Sequence, residues 1–195
     1  RTEDASTPLT RELMDFQVRN RECLNEKQKI GRKAAEFVQH GDTIFLDSGS
    51  TTLQMIPYLA EKKNVTIITY SIPAIAELVN YPQIHTIALP GVVLGRTASL
   101  VGHATCVALA QFNCVKAFMG CTGLSLSRQL TNATFEEFEV KQVALQHSKL
   151  QGRDAPCIGG LRKHGHSHLL QAANAMAGKG LNLQPREGGL AAVTD

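Results

Sequence analysis

The sequence predicts an α/β fold, a mostly parallel sheet with helices on both faces. Three observations carry that reading. Short apolar or β-branched runs recur at residues 43–46, 65–69, 85–89 and 115–120, and segments with helical spacing lie between them. The runs end in small, hydroxyl-bearing or glycine residues, at Asp47-Ser48-Gly49-Ser50, Tyr70-Ser71, Pro90-Gly91 and Gly120-Cys121-Thr122-Gly123. Ligands of open parallel sheets bind beyond the carboxyl ends of the strands, so these four ends together could line one polar pocket.

Taken in order, residues 1–24 are polar and mixed in charge, with Leu13, Phe16 and Val18 among them, and suggest an arm that becomes helical towards its end. Residues 26–39 place Ile30, Ala34, Phe37 and Val38 on one helical face, and Gly41 is a plausible C-cap. The strand Thr43-Ile44-Phe45-Leu46 follows, then residues 53–59 as a helix that Pro57 keeps short. Val65-Thr66-Ile67-Ile68-Thr69 is β-branched and reads as a buried strand. A helix over 72–79, a strand over 85–89, a helix in the second half of 97–111, a strand over 115–120 and a helix over 133–147 complete the pattern.

The most informative stretch is Asp47-Ser48-Gly49-Ser50-Thr51-Thr52, a turn leading from a strand into a helix. It presents backbone N–H groups and up to four hydroxyls where the helix has no internal acceptors, a setting suited to a phosphate. Gly49 would allow a tight turn and close approach to a ligand. The competing reading is an ordinary loop with Ser50 as N-cap, and the Gly-Lys pair of a Walker-type loop is absent.

Composition bounds the partners. Hydrophobic content of 43% supports a real core, and no apolar run is long enough to span a membrane. A net charge of +3 is diffuse and forms no basic cluster of the kind that marks a nucleic-acid surface. The five cysteines are odd in number and lack a Cys-x-x-Cys pair, which favours reduced thiols in a cytoplasmic protein over disulfides or zinc. Cys106, Cys114 and Cys121 read as core fillers. His164, His166 and His168 alternate in a Gly-rich stretch without an acidic or cysteine partner nearby, which favours a polar loop over a metal site. No cofactor is expected.

The order Glu26-Lys27-Gln28-Lys29-Ile30-Gly31-Arg32-Lys33-Ala34-Ala35, Gly41 to Thr52, residues 65–71, Gly91, Leu100-Val101-Gly102, Phe118-Met119-Gly120-Cys121-Thr122-Gly123-Leu124, Leu130-Thr131-Asn132 and Glu136-Glu137-Phe138-Glu139-Val140-Lys141 resembles the C-terminal effector-binding domain of DeoR-type transcriptional repressors. The likeness covers roughly residues 24–148. It implies a fold shared with ribose-5-phosphate isomerase and CoA-transferase-like proteins. It also implies a phosphorylated sugar as effector, a homo-oligomer (dimer or tetramer), and operator DNA contacted only through a winged helix-turn-helix domain that would precede Arg1. Residues 1–24 would then be the linker after that domain, and 25–195 the effector domain, atypical over 148–195.

By the same resemblance Asp47 would accept from sugar hydroxyls, Ser48, Gly49, Ser50, Thr51 and Thr52 would hold the phosphate, and Lys141 would supply positive charge. Tyr70, Ser71, Gly91, Gly120 and Gly123 would line the pocket. Lys141 could instead form an exposed helical pair with Glu137, and Asp47 could simply cap its turn. The chain departs from the family pattern at Pro90, which removes an N–H, and at Tyr70, which would narrow the pocket. Beyond Lys149 the likeness decays, and an altered or loosely ordered tail is expected there. A sensor without catalysis is therefore expected. A sugar-phosphate isomerase of the same fold is the alternative, with Asp47, Glu136 or Glu139 as its base, and an oligomerisation scaffold with a vestigial pocket is a third reading.

Overall fold

A computed structural model describes residues 15–120, 123–125, 129–132, 134–148, 181–186 and 189–194. Helix α1 spans Phe16–Arg21 and α2 spans Leu24–Ala35. Strand β1 (Thr43–Leu46) leads through the short helices α3 (Ser50–Leu53) and α4 (Ile56–Leu59) to β2 (Thr66–Thr69). Helix α5 (Ile72–Leu78), strand β3 (His85–Ala88) and the hairpin β4 (Val92–Leu94) and β5 (Ser99–Val101) come next. Then follow α6 (His103–Leu109), β6 (Lys116–Phe118), β7 (Gly123–Ser125), β8 (Gln129–Asn132), α7 (Phe135–Gln146), β9 (Leu181–Arg186) and β10 (Gly189–Thr194).

The central sheet is all parallel in the order β3-β2-β1-β6. Alternation along β1 sends Ile44 and Leu46 to one face and Phe45 to the other. Ile44, Leu46 and Ile67 join Ala34, Val38, Met55, Ile56, Leu59 and Leu78 in one core, so α2 to α5 cover that face. Phe45, Ile68, Tyr70 and Ala117 join Leu109, Val140 and Ala144 beneath α6 and α7. Helices on both faces of a parallel sheet are the predicted fold class. A second, antiparallel sheet runs β7-β8-β10-β9, with α7 against β8 and β10.

Several local expectations are corrected. The first long helix stops at Ala35, so Phe37 turns outward and is 49% exposed while Val38 is buried. Its C-cap is Glu36; Gly41 (φ +82) lies beyond it, in the turn into β1, and its N–H donates to the Lys63 carbonyl at 2.9 Å. The helix expected over 53–59 is two helices, α3 beginning at Ser50 and α4 carrying Pro57 in its first turn, where a missing N–H costs nothing. Strands β4 and β5 occupy the stretch before α6. Phe16, expected in the arm, is 2% exposed and buried in its own chain, while Val18 is 44% exposed. Leu13, Cys121, Cys157 and the three alternating histidines lie outside the described residues, as does 149–180 of the tail. The described parts of the tail form β9 and β10.

Cys114 is buried, Cys106 half-buried and Cys23 exposed. Burial pushes the Cys114 thiol up to about 11, and burial together with Glu139 also raises Cys106. The thiolate is the reactive form. Iodoacetamide should therefore modify Cys23 in the native protein and spare Cys114 until unfolding. Peptide mapping that finds the two labelled at equal rates would contradict this packing.

Candidate functional site

The strand order reverses between β1 and β6, and the site is built where these two strands end. Asp47 follows β1 and is 1% exposed. Its Oδ2 accepts the Gly120 N–H, just after β6, at 2.7 Å, and lies 3.1 Å from Lys141 Nζ. Its Oδ1 accepts the Tyr70 hydroxyl. Lys141, on α7, also donates to the Gly120 carbonyl at 2.8 Å. One buried carboxylate thus ties the ends of three strands to a helix, an arrangement that a low-dielectric site permits only with such partners.

Tyr70 is fully buried and stacks on Phe45, with ring centroids 5.8 Å apart and planes at 12°. Burial, and then the negative charge of Asp47 and of Glu137, hold its hydroxyl well above the usual tyrosine value. Tyr70 and Cys114 both bind their protons more tightly when folded, so their contribution is complete below the unfolded values and is lost as pH rises past them. Stability should fall as pH climbs from about 9 towards 11, and urea midpoints across that range test it; a flat profile would contradict it.

Ser48 donates to Glu137 Oε1 at 2.6 Å and lies 3.2 Å from the Tyr70 hydroxyl. Thr134, the residue before α7, donates to Glu137 Oε2 at 2.8 Å. Glu137 and Lys141 are therefore not an exposed helical pair: both are buried, one turn apart, and both reach the β1 turn. Sequence reasoning left Glu137 and Thr134 out of the site. Their signal was the four-residue spacing of Glu137 from Lys141, which puts both on one face of α7.

Of the four hydroxyls in the turn, two are committed internally. Ser48 is bound as above, and Thr52 Oγ1 contacts the Asp47 and Gly49 carbonyls at 2.8 and 2.7 Å. Ser50 and Thr51 are 6% and 4% exposed, and among the described residues their hydroxyls meet no partner. The same holds for the backbone N–H groups of residues 49–52. Gly49 caps α3 at φ −69 and ψ 142, a conformation open to any residue, so a tight turn does not explain the glycine.

The remaining expected residues divide. Ser71 caps α5, its hydroxyl accepting the Ala74 N–H at 3.3 Å. Gly91 faces Thr105 and the Val101 backbone so closely that a Cβ would stand 2.3 Å from Thr105 Oγ1. Gly123 opens β7 opposite Thr131. Of the alternative catalytic carboxylates, Glu136 is exposed and Glu139 half-buried. Among the described residues no group of acidic, histidine and cysteine side chains could hold a metal, and no helix is long and apolar enough to cross a membrane.

The family model for the DeoR C terminal sensor domain matches residues 22–151. The chain is 34% identical over 126 residues to the HTH-type transcriptional regulator FruR of Bacillus subtilis, covering 65% of this chain and 50% of that protein. It is 34% identical over 137 residues to the regulator IolR of the same organism, covering 70% and 55%. The glycerol-3-phosphate regulon repressor of Escherichia coli is 26% identical over 124 residues, covering 64% and 49%. The chain spans about half the length of these curated relatives. Among solved structures, ribose 5 phosphate isomerase A from Neisseria gonorrhoeae has a TM-score of 0.47 and 16% identity, covering 87% of this chain and 74% of that one. With a family match over residues 22–151, two thirds of its length, this chain belongs to the DeoR sensor-domain family.

Proposed function

We propose that this chain is the ligand-sensing part of a DeoR-type transcriptional repressor of carbohydrate metabolism and that its effector is a phosphorylated sugar. The observation that carries the reading is the turn at 48–52. At the point where the strand order reverses, it offers N–H groups and the hydroxyls of Ser50 and Thr51 that have no partners among the described residues. The unspent groups are donors, and donors converging at the start of a helix favour an oxyanion. The relative named for a glycerol-3-phosphate regulon fits a phosphomonoester of this kind. Asp47, Lys141 and the buried Tyr70 act in this reading by holding the turn, Ser71 by capping α5, and the sugar is met by Gly91, Gly120 and Gly123 at the neighbouring strand ends. The sensor works as a homo-oligomer in the cytoplasm, and operator DNA is contacted by another part of the full-length protein.

An isomerase would need a carboxylate poised beside the substrate carbon. Asp47 has both oxygens engaged, Glu136 is exposed, and Glu139 lies near Cys106 of α6, whose thiol it raises. The sensor reading is preferred on that ground.

Thermal unfolding tests it, with ribose 5-phosphate, glucose 6-phosphate, fructose 1-phosphate, fructose 6-phosphate and glycerol 3-phosphate, each beside its parent compound. A ligand at a hundred times its dissociation constant stabilises by about 2.7 kcal/mol. One phosphate should shift the midpoint while its parent does not. The double variant Ser50→Ala, Thr51→Val should keep the unliganded midpoint and lose the shift, because neither hydroxyl supports the fold. A panel without any shift would sink the sensing reading and favour a scaffold.

A further inference from the structure

We propose that α1 is the output element of the sensor, a strap whose hold on the domain tightens when the Ser48–Thr52 turn is occupied; this rests on the sensing reading above. Two routes lead from that turn to α1. The first is direct, since α1 packs against α3, the helix that the turn opens. The second runs through Tyr70. Its hydroxyl holds Asp47 at the site, and its main-chain carbonyl accepts the Leu100 N–H of β5 at 2.8 Å. Ser71 bridges to Ser99, and the Ile72 N–H donates to the Ala98 carbonyl at 3.0 Å, so the hairpin is sewn to the end of β2. The loop of that hairpin carries Arg96, whose carbonyl accepts the Phe16 N–H at 3.0 Å, where α1 begins. Phe16 itself is buried beneath this contact.

A relay needs an element with two accessible arrangements, and not merely a chain of contacts. Helix α1 is held against opposing costs. Asn20 Oδ1 is the one side-chain polar atom among the described residues that is both sealed from solvent and without a hydrogen-bond partner, and it lies on α1. The joint between α1 and α2 is Cys23, a non-glycine residue in the left-handed region at φ +50. Undocking α1 would give Asn20 back to water and free the joint. It would also release Phe16 and the bond from Lys27 Nζ to the Arg19 carbonyl. A ligand that fixes the turn and α3 favours the docked arrangement, and by reciprocity docking favours the ligand.

Hydrogen exchange read by mass spectrometry tests this on the whole chain, with the panel phosphates named above as probes. The phosphate that raises the thermal midpoint should slow exchange across residues 17–22 on the order of fivefold or more, the lower end of ordinary allosteric couplings. Asn20→Leu, which removes the unpaired oxygen at similar size, should slow exchange in α1 and in 53–55, whose N–H groups are bonded back to residues 49, 51 and 52, without ligand and should tighten the probe's binding. Phe16→Ala should do the opposite. Tighter binding cannot come from a damaged fold, which makes Asn20→Leu the decisive variant. A probe that raises the midpoint while leaving exchange in α1 unchanged would overturn the relay and leave the sensing reading standing. Asn20→Leu that protects α1 but not 53–55 would overturn it as well, with no ligand needed. A panel with no thermal shift would remove the sensing reading and the relay together.

Discussion

Lys141→Met should lower the unfolding free energy by about 3–5 kcal/mol, the usual cost of removing one member of a buried ion pair. The lysine side chain is 10% exposed and that of Asp47 is 1%, and the two charges sit 3.1 Å apart. Methionine fills the same path, so packing is largely kept and the loss reports the charge together with the bond to the Gly120 carbonyl. What is left behind is a carboxylate held by the Gly120 N–H and the Tyr70 hydroxyl, with Glu137 the nearest charge on the same helix face. The double variant Asp47→Asn, Lys141→Met should recover part of the loss, because the amide needs no counter-charge. Urea unfolding of the four proteins closes the cycle. A loss below about 1 kcal/mol for Lys141→Met would mean that the ammonium behaves as a surface group. Because this residue holds the fold, a lost ligand response in its variants does not place the ligand, and the hydroxyls of Ser50 and Thr51 are the better probes.

The parallel sheet was legible because its strands are short apolar runs with helical segments between them, and the register of β1 follows from Ile44, Phe45 and Leu46 alternating between two cores. The cluster at the β1 end was legible in part. Asp47, Ser48, Tyr70, Gly120 and Lys141 lie together at the strand ends, although Tyr70, expected to narrow a pocket, is fully buried with its hydroxyl on Asp47. What escaped was decided by contacts distant in sequence. Glu137 matches Glu136 by type, and its spacing from Lys141 gains its meaning from the 2.6 Å contact with Ser48, 89 residues away. Strands β4 and β5 are three residues each, too short for an alternating pattern, and they exist because β5 adds to the end of β2. Phe16 reads as an arm residue by composition and is buried because α1 folds back onto the hairpin loop.

Gly91→Ala is expected to be the most damaging methyl addition among the described glycines. A Cβ there would stand 2.3 Å from Thr105 Oγ1, 2.8 Å from the Val101 carbonyl oxygen and 2.9 Å from the Val101 nitrogen. Thr105 cannot simply swing aside, because its hydroxyl donates to the Pro90 carbonyl at 2.7 Å and meets the Leu100 carbonyl at 3.2 Å. Two of the three close atoms are backbone of Val101, on the strand that pairs with β4, so the start of β4 must part from the end of β5 as well as from α6. Overpacking of this kind costs about 1–3 kcal/mol and sometimes more. Gly31→Ala is the internal comparison. Its Cβ would meet the Gln54 carbonyl carbon and oxygen at 2.6 Å, but alanine gains about 1 kcal/mol over glycine inside a helix and offsets part of the clash. Gly95→Ala has open space around it and should change stability by about 1 kcal/mol or less. The expected order of unfolding free energies is therefore Gly95→Ala highest, then Gly31→Ala, then Gly91→Ala. A Gly91→Ala protein as stable as Gly95→Ala would mean that the hairpin does not rest on α6. In that case the Tyr70–Leu100 bond would lose the support that lets it bear on α1.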